Sequence, residues 1–249
     1  MDITEKMYRA FSGLPATDTL SFGSKANPEY TREHLALSIT PANLLLALHR
    51  AREAHELAVS YRNFKVGAAI VALRVGGASN FQILTGINVK PDENSSLNGH
   101  AEQMAFFKAK DRTFNAVSIV AVVGKTQTDQ QSGNEMYTLH PCGKCRAFMS
   151  QHPLVDPEIT LIATALPTLR TIELSSLNEL HTYHDTDTHL DDEIPRFELP
   201  DLSLLRPFTP KAGQILSLDD SPEAYEDERI WDNTIGAFLT EWRLKHLRS

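Results

Sequence analysis

His100-Ala101-Glu102 and, after 38 intervening residues, Pro141-Cys142-Gly143-Lys144-Cys145 are the stretches whose reading decides this chain. Cys142 and Cys145 are its only cysteines in 249 residues. A CxxC spacing lets both sulfurs reach one ion, and a histidine adds the nitrogen that, with sulfur, makes up the donor set Zn²⁺ favours. Three protein ligands leave the fourth tetrahedral position to water, as in a catalytic zinc site. Two thiolates balance the dication and a neutral imidazole adds no charge, so the bound water ionises near pH ~7. Glu102 is too near His100 in sequence to be a comfortable fourth ligand on a helix, yet well placed to touch that water. It is the candidate general acid and base. The same residues also admit a redox CxxC pair or a closed structural zinc site. A redox pair has no use for the upstream His-Ala-Glu, and a closed site would normally recruit a fourth Cys or His.

Outward from these residues the sequence predicts helices. His100 opens a run of strong helix formers through Lys110 with apolar residues at helical spacing. Pro141 suits a first helical position, and Cys145-Arg146-Ala147-Phe148-Met149 continues as a helix until His152-Pro153 stops it. Two helix N-termini then converge on the metal, and their partial positive charge helps hold both cysteines as thiolates.

The order His-x-Glu followed by Pro-Cys-x-x-Cys is that of hydrolytic zinc deaminases of nucleobases. Tyr61-Arg62-Asn63-Phe64-Lys65-Val66-Gly67-Ala68-Ala69, then Gly86-Ile87-Asn88-Val89, then His100 to Gln103, then Pro141 to Met149, resembles the cytidine deaminase family in order and spacing. The resemblance covers residues 41 to 166. The His ligand followed by Gln103, and the Cys-Arg-x-Phe-Met run, look more like the long, homodimeric branch than the short tetrameric one. It implies a zinc-dependent aminohydrolase of a free pyrimidine nucleoside. Glu102 would take a proton from the zinc water, deliver it to the ring nitrogen beside the amino-bearing carbon, and later protonate the departing ammonia. The resemblance further implies that Phe64 packs on the pyrimidine, that Asn88 bonds the ribose, that the surroundings of Ala101 and Glu102 read the base edge, and that Arg146 supports a ligand sulfur.

One position departs from the family pattern. Where a Glu usually bonds the sugar hydroxyl, this chain has Lys90, which cannot accept a hydrogen bond and reverses the local charge. Lys90 either turns to solvent or meets an anionic or modified sugar, as in a nucleotide or a nucleoside antibiotic. Whether the substrate is a salvage metabolite or a toxic analogue stays open.

Composition is that of a soluble globular chain, 41% hydrophobic and 22% charged, with a formal net charge of −8. That charge argues against a polynucleotide substrate, which needs a basic groove. No apolar stretch approaches the ~20 residues that cross a bilayer. The N-terminus lacks the basic start and apolar centre of a secretion signal, and two cysteines committed to metal give no disulfide framework, so the expected compartment is the cytoplasm. A non-catalytic, zinc-stabilised interaction module is the remaining reading, and Glu102 speaks against it.

Along the chain, residues 1–40 read as a loop-rich arm, 41–166 as the deaminase core and 167–249 as an extension packing on the core or a partner subunit. Thr40-Pro41 opens an amphipathic helix to about Val59. Val66 to Leu73, Phe81 to Asn88, Ser118 to Val123 and Ile159 to Ala163 read as strands. With the metal helices between them they give an α/β, three-layer fold, a mixed sheet covered by helices on both faces. Gln127 to Asn134 reads as a surface loop. Ile230 to Leu247 reads as a final helix carrying Trp231 and Trp242. His181, His184 and His189 tempt a second metal assignment, but histidines mixed with Asp and Thr commonly sit in solvated loops.

Overall fold

Thr40 and Pro41 start the first long helix in the way their chemistry predicts. The computed structural model describes residues 32–74, 81–92, 98–110, 114–126, 137–181, 196–198 and 235–247. In it, Thr40 Oγ1 accepts the Asn43 N–H at 3.2 Å, and Pro41, whose missing N–H costs nothing in a first turn, opens the helix Pro41–Leu57. A short helix α1 (Arg32–Leu37) precedes this helix, α2. The order then runs β1 (Val59–Ser60), β2 (Val66–Leu73), β3 (Phe81–Ile87), β4 (Val89–Lys90), α3 (Ala101–Lys110), β5 (Ala116–Gly124), α4 (Gly143–Ser150), β6 (Leu161–Ala165), β7 (Thr171–Ser176), α5 (Leu177–His181), β8 (Arg196–Glu198) and α6 (Ala237–Leu247).

Six strands form one mixed sheet in the order β3-β2-β5-β6-β7-β8, and β1 pairs with β4 in a separate two-stranded ladder. Neighbours are antiparallel except β5 and β6, which run parallel with Val122 opposite Thr164. A parallel pair needs a crossover, and the chain between β5 and β6 contains α4. Ligand sites in such sheets collect beyond the carboxyl ends of parallel strands, and the segment leading into α4 carries Cys142.

Both faces of the sheet are buried, which is why β2 reads Val-Gly-Ala-Ala-Ile-Val-Ala-Leu with no polar residue. Ala69, Val71 and Leu73 join Leu44, Leu48 and Ala51 of α2, with Leu35 of α1 and Leu239 and Trp242 of α6, in one apolar layer. Ala68, Ile70 and Ala72 point the other way, into a layer with Ala105 and Phe106 of α3, Met149 of α4 and Leu177 of α5. Each fully buried Leu, Ile or Phe contributes about 1.5–3 kcal/mol. The three-layer α/β architecture expected from the sequence is the one observed.

Differences are local. The last helix is described over Ala237–Leu247, and its expected start at Ile230 and Trp231 lie outside the described residues, as do residues 1–31, Gln127 to Asn134, His184 and His189. Pro141 does not open α4. Cys142 is its N-cap, with extended φ −64° and ψ 161°, so the helix starts two residues after the proline. Past residue 166 the chain adds β7 and β8 to the same sheet, and α6 docks on its α2 face, where Trp242 Nε1 donates to the Ile159 carbonyl at 3.3 Å. Among the described residues, no helix is long and apolar enough to cross a membrane.

Candidate metal centre

His100 is delivered by the short ladder beside the main sheet. Val89 and Gly99 exchange backbone hydrogen bonds of 3.0 and 2.8 Å, which fixes the approach of the chain to His100 one residue before α3 begins. Cys142 caps α4 and Cys145 lies inside its first turn, fully buried. The two helix starts meet. The ligand atoms of His100, Cys142 and Cys145 all lie within 4.8 Å of one another, and Cys142 Sγ is 3.5 Å from His100 Nδ1. Zn–S bonds of ~2.3 Å and Zn–N bonds of ~2.0 Å in a tetrahedron require ligand atoms roughly 3.5–3.8 Å apart. One nitrogen and two sulfurs at this spacing fit zinc.

Protons in the metal-free site are shared unevenly. Cys142 accepts a hydrogen bond from Cys145, and this, with His100 beside it, lowers its pKa to about 3. Cys145, the donor in that bond and buried, is pushed well above the usual thiol range. Two adjacent thiolates without a cation repel each other, so one of the pair keeps its proton. The hydrogen bond to Cys142 raises the His100 pKa. Burial raises that of Glu102, and the neighbouring Cys142 charge acts in the same direction.

These shifts fix the sign of the proton change on metal uptake. Zinc requires Cys145 as thiolate and His100 neutral, and both shifts favour the protonated form, so uptake releases protons and affinity rises with pH. Titration calorimetry in buffers of different ionisation enthalpy reads the number directly, and uptake without proton release would contradict the thiol assignment of Cys145.

Residues 42–156 match the family model described as the cytidine and deoxycytidylate deaminase zinc-binding region. Residues 42–156 are thus a zinc-binding region of the cytidine deaminase family. Among solved structures, it is similar to a cytidine deaminase from Mycobacterium leprae at 22% identity, over 55% of this chain and 96% of that one, with a TM-score of 0.38. It is also similar to one from Mycobacterium tuberculosis at 24% identity, over 48% and 83% of the two chains, with a TM-score of 0.36. Comparison with the curated proteins gives no match. The family is one of zinc enzymes, and this chain is an enzyme of the cytidine deaminase type whose described residues offer His100, Cys142 and Cys145 to the ion.

The other residues singled out in this deaminase fall into three groups. Glu102 and Ala101 start α3 beside the metal ligands, and Ala101 is fully buried. Phe64, Asn88 and Lys90 form a second group. Asn88, 1% exposed, donates from Nδ2 to the Phe64 carbonyl at 2.7 Å and accepts the Val66 N–H on Oδ1 at 2.8 Å. It thus clamps the turn containing Asn63, whose φ of 54° is the left-handed conformation Asn tolerates better than most residues, and so sets the half-buried Phe64. Lys90 Nζ stands 5.9 Å from the Phe64 ring centroid. Arg146 is buried on α4, next to Cys145, while Lys144 is exposed. His181 ends α5.

Sequence reading missed a cluster just upstream of Cys142. Thr138 donates to Glu173 Oε2, His140 Nε2 lies 3.0 Å from the same oxygen, and Thr138 Oγ1 is 2.6 Å from Thr164 Oγ1. The available signal was a lone Glu in Thr171-Ile172-Glu173-Leu174-Ser175-Ser176, a strand whose six residues are all buried.

Proposed function

We propose that this deaminase hydrolyses the exocyclic amine of a free cytosine nucleoside, converting cytidine or deoxycytidine with water to uridine or deoxyuridine and ammonia. The observation that carries the reading is Glu102, a carboxyl 4% exposed at the start of the helix that succeeds His100. His100, Cys142 and Cys145 would hold the zinc, which would supply a water acidified towards neutral pH. Glu102 does the proton work. Burial raises its pKa from the ordinary carboxylate value, which brings its two protonation states closer in energy at working pH, as a group that both takes and gives a proton needs. It takes one proton from the attacking water and passes it to the ring nitrogen beside the amino-bearing carbon, then takes the second from the newly added hydroxyl and gives it to the amine as the carbon–nitrogen bond breaks and the carbonyl forms. Phe64, set by the Asn88 clamp, offers an aromatic face for the pyrimidine. The net charge of −8 favours a small substrate over a polynucleotide.

Ammonia release from a panel of cytidine, deoxycytidine, cytidine monophosphate, adenosine, cytosine nucleoside antibiotics and single-stranded oligonucleotides tests this, with Glu102→Gln as control. Turnover of cytidine or deoxycytidine that vanishes in the control is expected. Activity confined to adenosine or to oligonucleotides would refute it.

A second reading, an anionic substituent on the substrate sugar, is favoured by Lys90. It is half-buried, it stands over Phe64, its charge bears on His100, and among the described residues no carboxylate pairs with it. On this reading Lys90→Glu lowers kcat/KM for cytidine monophosphate roughly tenfold or more, since a partly buried charge pair is worth about 1–2 kcal/mol, and leaves cytidine less affected. An unchanged preference between the two compounds returns Lys90 to solvent.

A further inference from the structure

Glu173 is a carboxyl with 3% of its surface exposed, in the middle of β7, and the deamination proposed above gives it no task. A buried carboxylate is stable only where donors meet it. Two of its donors come from one segment. Thr138 and His140 both reach Oε2 from the segment that leads into Cys142, across 35 and 33 residues of sequence. Thr164, which faces Glu173 across the β6–β7 ladder, meets the Thr138 hydroxyl at 2.6 Å. Between the two donors, Leu139 lies so close over Gly124 at the end of β5 that a Cβ on that glycine would come within 2.3 Å of Leu139 Cδ2. Three successive residues, 138, 139 and 140, are therefore each fixed to the adjacent strands β5, β6 and β7.

Cys142, the metal ligand reached next along the chain, gets little support from its own helix. It is exposed and extended, at the N-cap of α4, and makes no side-chain capping bond, whereas Cys145 is buried within the helix. Its sulfur comes only two positions after His140, so where it stands depends on the anchored segment before it.

We propose that Glu173 is a positioning residue of the metal centre: from β7 it holds Thr138 and His140, and through them it fixes where Cys142 Sγ stands relative to His100 and Cys145. Glu173 never touches the ion. The proposal rests on the three-donor zinc site and is independent of which nucleoside is deaminated, so it is read without substrate.

The test uses the full chain loaded with zinc or with cobalt(II). Transfer of zinc to a chromophoric chelator gives a release rate, and the thiolate charge-transfer and ligand-field bands of the cobalt protein report the geometry of the sulfurs. Glu173→Ala is expected to release zinc about 10–100 times faster than wild type and to alter the cobalt bands, the range seen when groups that orient metal ligands are removed. His140→Ala reproduces part of both effects. The double variant releases zinc no faster than Glu173→Ala, because both act on one segment. Ile172→Val, on the same strand but in the opposite apolar layer, leaves the rate and the bands as they were. Unchanged bands and rate in Glu173→Ala, or equal acceleration in Ile172→Val, would overturn the proposal and reduce Glu173 to a pin of the sheet. If Glu173→Ala does not fold, His140→Ala in the same assays decides, and an unchanged release rate there overturns it. A wild-type chain that takes up neither metal would remove the three-donor site itself before any variant is compared.

Discussion

Glu102→Gln is expected to lower ammonia release by about 10²–10⁴-fold while zinc content stays at the wild-type level. The amide matches the carboxyl in shape, so the start of α3 and the ligands around it are undisturbed. What it cannot do is carry a proton from water to substrate. The wild-type pH profile should show the same group. Burial raises the Glu102 pKa, the base form is needed to begin the reaction, and kcat/KM therefore falls as pH drops through a value above the ordinary carboxylate range. That acid limb should be missing from the residual activity of Glu102→Gln. Metal analysis beside the ammonia assay separates the outcomes. Activity within tenfold of wild type at full zinc would end the assignment of Glu102 as the proton carrier, and activity lost together with zinc would make it a metal-site residue instead.

Part of this site was legible because its chemistry is adjacent in sequence. His100 and Glu102, and Cys142 and Cys145, each sit one helical turn or less apart, so spacing alone names them. Strand β2 was legible for a different reason: an uninterrupted apolar run of eight residues ending before a charged one has few other readings. Its predicted limits, Val66 to Leu73, are the observed ones. The β7 strand was not legible. Thr171, Glu173, Ser175 and Ser176 give it the composition of a surface segment, yet all are buried, and Glu173 is satisfied by residues more than 30 positions away. No local pattern announces such a partner. Pro141 misled for a related reason. Its fixed φ suits a first helical turn, but the chain needs Cys142 in extended conformation to turn its sulfur towards His100, and tertiary demand won over propensity. Asn88 was singled out through resemblance as a ribose contact. Its observed bonds run to the backbone at Phe64 and Val66, a clamp that only the folded hairpin of β2 and β3 brings together.

Gly86→Ala is expected to cost both stability and turnover. A Cβ on Gly86 would lie 2.0 Å from the Ala101 carbonyl oxygen and 2.5 Å from the Ala105 nitrogen, both backbone atoms of α3. No side chain can swing aside to make room, so α3 must move off β3, at a cost of about 3 kcal/mol or more. Gly67→Ala makes a clash of the same size on the other face, 2.1 Å from the Ala51 oxygen and 2.2 Å from the His55 nitrogen of α2. Denaturant unfolding should show comparable losses for both. The two differ in which helix is displaced. α3 carries Glu102 in its first turn directly after His100, so a shift of about 1 Å misplaces the proton carrier and a ligand together and lowers kcat by a further ~10²-fold in molecules that remain folded. α2 carries no metal ligand, so folded Gly67→Ala should keep its zinc and most of its turnover. Equal kcat in the two variants, measured well below their unfolding transitions, would show that the contact between β3 and α3 sets stability alone and not the geometry of the metal centre.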